Sequence, residues 1–291
     1  MKKALLALLS AVLLITVTQP AQAEDQKVLA IIDTAINSKN FNAIIHEVCF
    51  TTIGAVPNNM ACPNGQTFME GPGAASSPWP LSLNNATYHG DAMVKAALVT
   101  SPNIKIVFVR FHDVTLLGNS RGDAKSLASA IDWVSKNASK YSIDAVSISQ
   151  SSTSAGNLAL CSTDTVTINA VSSLNTSNIP VFVATGNDKS TTVVGFPSCV
   201  NGAIGVGALW TLTMFEKATN TGPGLDLVAL GGVTITKYGR SEPSTISGTS
   251  AATVVSASSY VRKNTNQAFT DYISLLPKVT VSGVSYSYAS K

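Results

Sequence analysis

Val28-Leu29-Ala30-Ile31-Ile32-Asp33-Thr34-Ala35 carries the reading of the fold. Its apolar residues are continuous rather than alternating, the pattern of a strand covered on both faces in a parallel sheet, and the run stops at a carboxylate. Five further runs share this character, at 104–109, 144–149, 179–184, 203–209 and 225–230, each closed by a polar or glycine-rich corner. Segments with helical spacing lie between them. Phe41, Ile44, Ile45 and Val48 mark one apolar stripe, and Leu127, Ala130, Ile131 and Val134 mark another after an Arg121-Gly122-Asp123 turn. Alternating strand and helix predicts an α/β fold, with a mostly parallel central sheet, helices on both faces and right-handed crossovers. No internal repeat or linker interrupts the pattern, so a single domain is expected. Residues 57–80, rich in Gly, Pro, Asn and Ser, read as a loop-rich insertion, and 279–288 as a terminal strand or hairpin.

The chain has 291 residues, 45% hydrophobic and 12% charged, which excludes a disordered chain, a coiled coil and a collagen. Lys2 and Lys3, an apolar run over 4–17 and the small residues Ala21 and Ala23 form the three parts of a secretory signal. Cleavage after Ala23 leaves 24–291 as the mature domain, and the apolar run is too short to anchor it in a bilayer. Loss of the two lysines brings the net charge from +3 to +1. No basic patch remains for nucleic acid. Export also makes disulfides the natural reading of Cys49, Cys62, Cys161 and Cys199, which lack zinc-ligand spacing. Of three connectivities, Cys49 with Cys62 and Cys161 with Cys199 closes the smaller loops.

In an open α/β sheet, functional groups collect where strands end. Asp33 follows the first run and Asn187 follows Val181-Phe182-Val183-Ala184-Thr185-Gly186. His89-Gly90 precedes an expected helix, and Ser250 stands where a small-residue helix begins. Singly, each reads more readily as a helix cap or a turn. Together they fit one mechanism. A serine nucleophile needs a base, a histidine base needs a carboxylate to fix its tautomer, and a side-chain amide can donate to the oxyanion that forms.

These motifs resemble those of the subtilisin-like serine proteases. Asp33-Thr34-Ala35, His89-Gly90, Ala184-Thr185-Gly186-Asn187 and Gly248-Thr249-Ser250 match the family's aspartate, histidine, asparagine and serine motifs, in the family's order. Phe196-Pro197-Ser198 and Gly222-Pro223 extend the likeness beyond the catalytic residues. The resemblance implies a secreted or periplasmic serine endopeptidase of subtilisin-like fold. Asp33, His89 and Ser250 would form the triad, with Asn187 in the oxyanion hole. It further implies a peptide or protein substrate, no cofactor or metal, and a monomer free of the membrane once the signal is removed. Ser149, Gln150 and Ser151 would pair with substrate main chain by strand addition, and Ala184, Thr185 and Gly186 would form a pocket wall.

Several positions depart from the family pattern. Ala35 replaces a usual glycine, and Val254 a usual proline. Asp91 follows His89-Gly90, where it either raises the His89 pKa or caps the helix. Gln150-Ser151-Ser152 stands where leucine and glycines are common, so an apolar pocket is not expected. The segment after His89 is too short for a calcium loop. Only 24–32 separates the signal from Asp33, which leaves no room for a propeptide domain. A peptide-binding protein that keeps the cleft without turnover is the alternative. His46, without a second histidine at metal-binding spacing, and His112, beside Asp113 after a strand, read as structural.

Overall fold

The computed structural model describes residues 26–52, 61–76, 85–114, 120–236, 242–263 and 268–290. The signal segment and the ends of the 57–80 stretch lie outside these residues. Strands, in chain order, are β1 (Val28–Asp33), β2 (Ile44–Phe50), β3 (Phe68–Glu70), β4 (Lys105–Arg110), β5 (His112–Val114), β6 (Ser120–Gly122), β7 (Ile143–Ile148) and β8 (Val181–Ala184). They continue with β9 (Ile204–Thr211), β10 (Met214–Phe215), β11 (Leu227–Leu230), β12 (Val233–Thr236), β13 (Pro243–Ile246), β14 (Lys278–Val281) and β15 (Val284–Tyr288). The α-helices are α1 (Asn85–Thr100), α2 (Ala124–Asn137), α3 (Ala155–Thr163), α4 (Thr165–Thr176), α5 (Thr249–Lys263) and α6 (Phe269–Leu275).

All six continuous apolar runs become strands of one sheet, ordered β14-β15-β11-β9-β8-β7-β1-β4-β2-β3, with β10 paired to β9. Neighbours are parallel from β2 through β15, and β3 and β14 add antiparallel edges. β1 lies between β4 and β7: the chain first runs out to β2 and β3 on one side, returns through β4, and then crosses to β7 and winds outward through β8, β9 and β11 on the other. The carboxyl ends of β1 and β7, at this reversal, are where a ligand site is expected in this architecture.

The alternation of β1 builds two cores. Leu29 and Ile31 point to a layer with Ile106, Phe108, Met93 and Ala97 of α1, and Val254 and Tyr260 of α5. Val28, Ala30 and Ile32 point the other way, to Val107, Val109, Leu127, Ile131 and Val134 of α2 and Leu174 of α4. Each fully buried large aliphatic side chain contributes about 1.5–3 kcal/mol through area removed from water. Helix α5 packs across β7, β8, β9 and β11. Its buried residues are mostly small, and Thr253, Ser256 and Ser258 return their hydroxyls to the carbonyls four residues back at 2.7, 2.9 and 2.6 Å. Polar side chains thereby become tolerable inside the core.

Three expectations are corrected. The spacing of Phe41, Ile44, Ile45 and Val48 suits a helix, yet 44–50 is strand β2, parallel to β4 with a register shift between Ile44 and His46. Its apolar pattern is broken by Glu47, which is buried because its carboxylate accepts from the backbone of Gly73 and Ala75 at 2.9 and 3.1 Å. Within 57–80, Phe68–Glu70 is not loop but the edge strand β3, antiparallel to β2. Arg121-Gly122 closes the β5–β6 hairpin, and Asp123 caps α2 by accepting from Ser126 N at 2.9 Å. The terminal hairpin forms as β14–β15.

Both sequence-local disulfides are present, with Cα–Cα distances of 5.8 Å for Cys49–Cys62 and 5.5 Å for Cys161–Cys199. They close loops with sequence separations of 13 and 38 residues, and loop-closure entropy assigns them about 3 and 4 kcal/mol. No helix among the described residues is long and apolar enough to cross a membrane.

Candidate active site

Asp33 ends β1 with no exposed surface. Its Oδ1 accepts from Thr34 N at 2.6 Å and faces His89 Nδ1 at 2.7 Å. His89 lies in the first turns of α1, whose next residue, Gly90, donates its N–H to Thr34 Oγ1 at 2.9 Å. A Cβ on Gly90 would come within 2.8 Å of the Thr34 and Ala35 carbonyl oxygens, so only glycine lets α1 approach the Asp33 corner this closely. Ala35 is buried and keeps an ordinary negative φ, so the missing family glycine leaves no strain there. Burial pulls the His89 pKa down, but the Asp33 charge and hydrogen bond outweigh it and the net shift is upward.

Asp91 does not act on His89. Its Oδ1 accepts from Asn37 N at 2.9 Å, tying the loop after Asp33 to α1, while Oδ2 is buried without a hydrogen-bond partner. Burial pushes its carboxyl up to about 6, against the Asn37 bond and Lys95.

Ser250 is the second residue of α5, where the helix dipole favours developing negative charge. In this structure its Oγ donates to the Ser149 carbonyl at 3.0 Å, and Ser149 Oγ donates to the Ser250 carbonyl at 3.0 Å. Asn187 follows β8 through Thr185 and Gly186, the latter with φ +107°. Its Oδ1 accepts from both the backbone N and Oγ1 of Thr249 at 3.1 Å. With the carbonyl side so tied, the NH2 is the end left to donate. Gly248 closes the approach, since a Cβ there would lie 3.3 Å from Asn187 Oδ1.

The segment 149–152 and the stretch 184–186 extend from β7 and β8 beside this corner. Ser152 and Phe196 exchange backbone bonds of 3.0 and 2.9 Å, and Gly195 N donates to Thr185 O at 2.9 Å. Gly195-Phe196 thus ties the 149–152 segment to the 184–186 stretch, the two segments that hold the residues expected to meet substrate.

Two residues at the corner escaped sequence reasoning. Asn220 has no exposed surface. Its Oδ1 accepts from Asp188 N and Ser190 N at 2.9 and 3.0 Å, and its Nδ2 donates to Thr185 O and Asp188 Oδ2 at 2.9 and 3.1 Å. One saturated amide therefore fixes the loop that carries Asn187. His112, read as structural, lies close enough to Asp33 and His89 to feel both charges. Gln150 stands between the two rings, its Nε2 3.5 Å from His89 Nδ1 and its side chain hydrogen-bonded to His112. Burial pushes His112 down to about 4 despite the Asp33 charge, and His89 and Arg110 add to the lowering. His46, by contrast, is structural as expected, bonded to Glu70 and Tyr141 at 2.9 Å and stacked on Tyr141 and Trp133. Among the described residues, no group of three or more His, Cys, Asp or Glu side chains clusters to hold a metal ion.

Residues 25–272 match the subtilase family. The chain belongs to that family. An extracellular serine proteinase of Thermus sp. (strain Rt41A) is 34% identical over 148 residues, covering 50% of this chain and 33% of that protein, so the chain spans about a third of that relative's length. Solved structures share the subtilase fold at low identity. A protease of Pseudoalteromonas arctica PAMC 21717 gives a TM-score of 0.65 at 18% identity, over 90% of this chain and 87% of the other. A cold-adapted subtilisin-like serine proteinase gives 0.61 at 20%, over 91% and 89%, and a lanthipeptide protease 0.58 at 16%, over 81% and 72%. A cavity of about 780 Å³ at the opposite, amino ends of the strands, lined by Pro180, Ile204, Asp226 and Phe269, includes none of the corner residues of this subtilase.

Proposed function

We propose that this chain is a secreted serine endopeptidase working through Asp33, His89, Ser250 and Asn187. The observation that carries the reading is the 2.7 Å Asp33–His89 pair at the same sheet end as Ser250 and Asn187. Ser250 Oγ attacks the scissile carbonyl while His89 takes its proton, then returns it to the leaving amine. Asp33 holds the imidazole through Nδ1 and stabilises the imidazolium. The Asn187 NH2 and the Ser250 backbone N–H donate to the oxyanion. The hydroxyl first turns about χ1, from the Ser149 carbonyl toward His89. Catalytic bonds in ligand-free enzymes are commonly unaligned in this way. Two disulfides and the extracellular relative support export.

The position of the Ser250 hydroxyl is also the observation that favours a peptide-binding protein without turnover. A fluorophosphonate probe separates the two readings. Stoichiometric labelling of the mature chain, lost in Ser250→Ala, is the expected result, and a folded protein that stays unlabelled refutes the enzyme.

A further inference from the structure

Gln150 follows β7, and its side chain reaches between the rings of His89 and His112. The His112 ring is firmly held. It opens β5 opposite Gly122 of β6, where a Cβ would come within 2.6 Å of its Cε1 and Nε2. Phe111 packs edge-on against it at 4.2 Å between centroids, and Arg110 Nε donates to the His112 carbonyl at 3.0 Å. His112 is thus a fixed anchor for the Gln150 amide, whose two ends are unlike. The bond between them favours the charged form of His112, so the ring donates and the amide oxygen accepts. That leaves Nε2 facing His89 Nδ1, 3.5 Å away. In the tautomer that lets His89 act as a base, Nδ1 donates to Asp33 Oδ1, at 2.7 Å, and cannot also accept. Two N–H groups therefore face each other, and the positive end of the amide dipole lies against the ring that must carry the imidazolium.

We infer that Gln150, anchored on His112, is a positioning residue for His89 whose amide NH2 limits how firmly Asp33 stabilises the imidazolium. As a statement about turnover this rests on the endopeptidase reading above. A general base serves best with a pKa near the working pH, and an ion pair with a buried carboxylate moves that of His89 upward. The amide opposes that move. The leucine common at this position in the family has no dipole to place there. Besides the two rings, the charged groups that face them are Asp33 at the end of β1 and Arg110 at the end of β4, and both stay unaltered in the variants below.

The test reads the His89 pKa directly, by NMR titration of the imidazole signals of the mature chain, whose three histidines are assigned with His46→Gln and His112→Leu. Gln150→Leu removes the amide and should raise the His89 pKa above wild type. Gln150→Glu, equal in size to the native residue, puts a carboxylate in the same place and should raise it further, by about one unit or more. His112→Leu frees the amide to turn its oxygen toward His89 and should also raise it. The acid limb of kcat/KM should move with the NMR value in each variant. A side chain that only met substrate would change KM and leave the titration in place. An unchanged or lowered His89 pKa in either Gln150 variant, or an unchanged one in His112→Leu, overturns the inference. An acid limb that stays put while the NMR value moves overturns the role in turnover. The titration needs no catalysis, so a chain that fluorophosphonate does not label loses the endopeptidase reading while the order of His89 pKa values still decides the Gln150 contact.

Discussion

Asp33 and His89 meet through a 2.7 Å bond between a carboxylate with no exposed surface and a ring whose pKa that carboxylate raises. Ser250 and Asn187, at the start of α5 and the end of β8, are held instead by neutral bonds of 3.0–3.1 Å to the Ser149 carbonyl and to Thr249. One half of the corner is electrostatic, built on a buried carboxylate, with Asp91 and His112 as further titrating neighbours. The other is a matter of backbone geometry. The charged half should answer to pH, and the neutral half to displacement alone.

The largest effect tests the neutral half. Asn187→Ala removes one oxyanion donor and should lower kcat by about 10²–10³-fold. Because no charge is lost, the pH profile of kcat/KM should keep its shape. A changed acid limb in this variant would break the division between the halves.

His112 tests the charged half. Its pKa of about 4 in the folded protein lies below the ordinary 6.5. The unfolded chain therefore binds the proton first, and stability is lost as pH falls from 6.5 through 4. The contribution is on the order of 3 kcal/mol. His112→Leu should remove this loss, so that its unfolding free energy in urea gains on wild type between pH 7 and pH 4. Asp33, His89 and Arg110 are the charged groups facing the ring, with Gln150 bonded to it, and parallel pH curves for the two proteins would contradict the assignment.

Asp91 carries the opposite sign. A carboxyl raised from 3.8 to about 6 is protonated more readily in the folded state, so stability falls as pH rises from 4 through 6. Asp91→Asn keeps an acceptor for Asn37 N and loses the buried charge. Its new NH2 lacks an acceptor, which offsets about 1 kcal/mol, so the variant should be about 2 kcal/mol more stable than wild type at pH 8. Below pH 4 the advantage should vanish, and denaturation at the two pH values checks both.

The parts legible in the sequence were those whose signal is local. Continuous apolar runs gave the parallel strands, and polar residues at the ends of two of them, Asp33 and Asn187, with His89 and Ser250 at expected helix starts, gave the candidate corner. The strand β2 was not legible because its partners are remote. Glu47 is buried only because Gly73 and Ala75 come back to it, and His46 is sheltered by Tyr141 and Trp133. For the same reason His46 and His112 looked alike in the sequence. Their difference depends on which elements the sheet order brings together, as does the role of Asn220, whose partners lie about thirty residues earlier in the chain.

The central claim is that Ser250, parked on the Ser149 carbonyl, becomes the nucleophile served by His89 and Asn187. A crystal structure of the protein after reaction with a fluorophosphonate tests it most directly. The account predicts phosphorus bonded to Ser250 Oγ, the Ser149 carbonyl released, and a phosphonyl oxygen within hydrogen-bonding distance of both Asn187 Nδ2 and the Ser250 backbone N–H. An adduct on another residue, or one whose phosphonyl oxygen points away from Asn187, would contradict it.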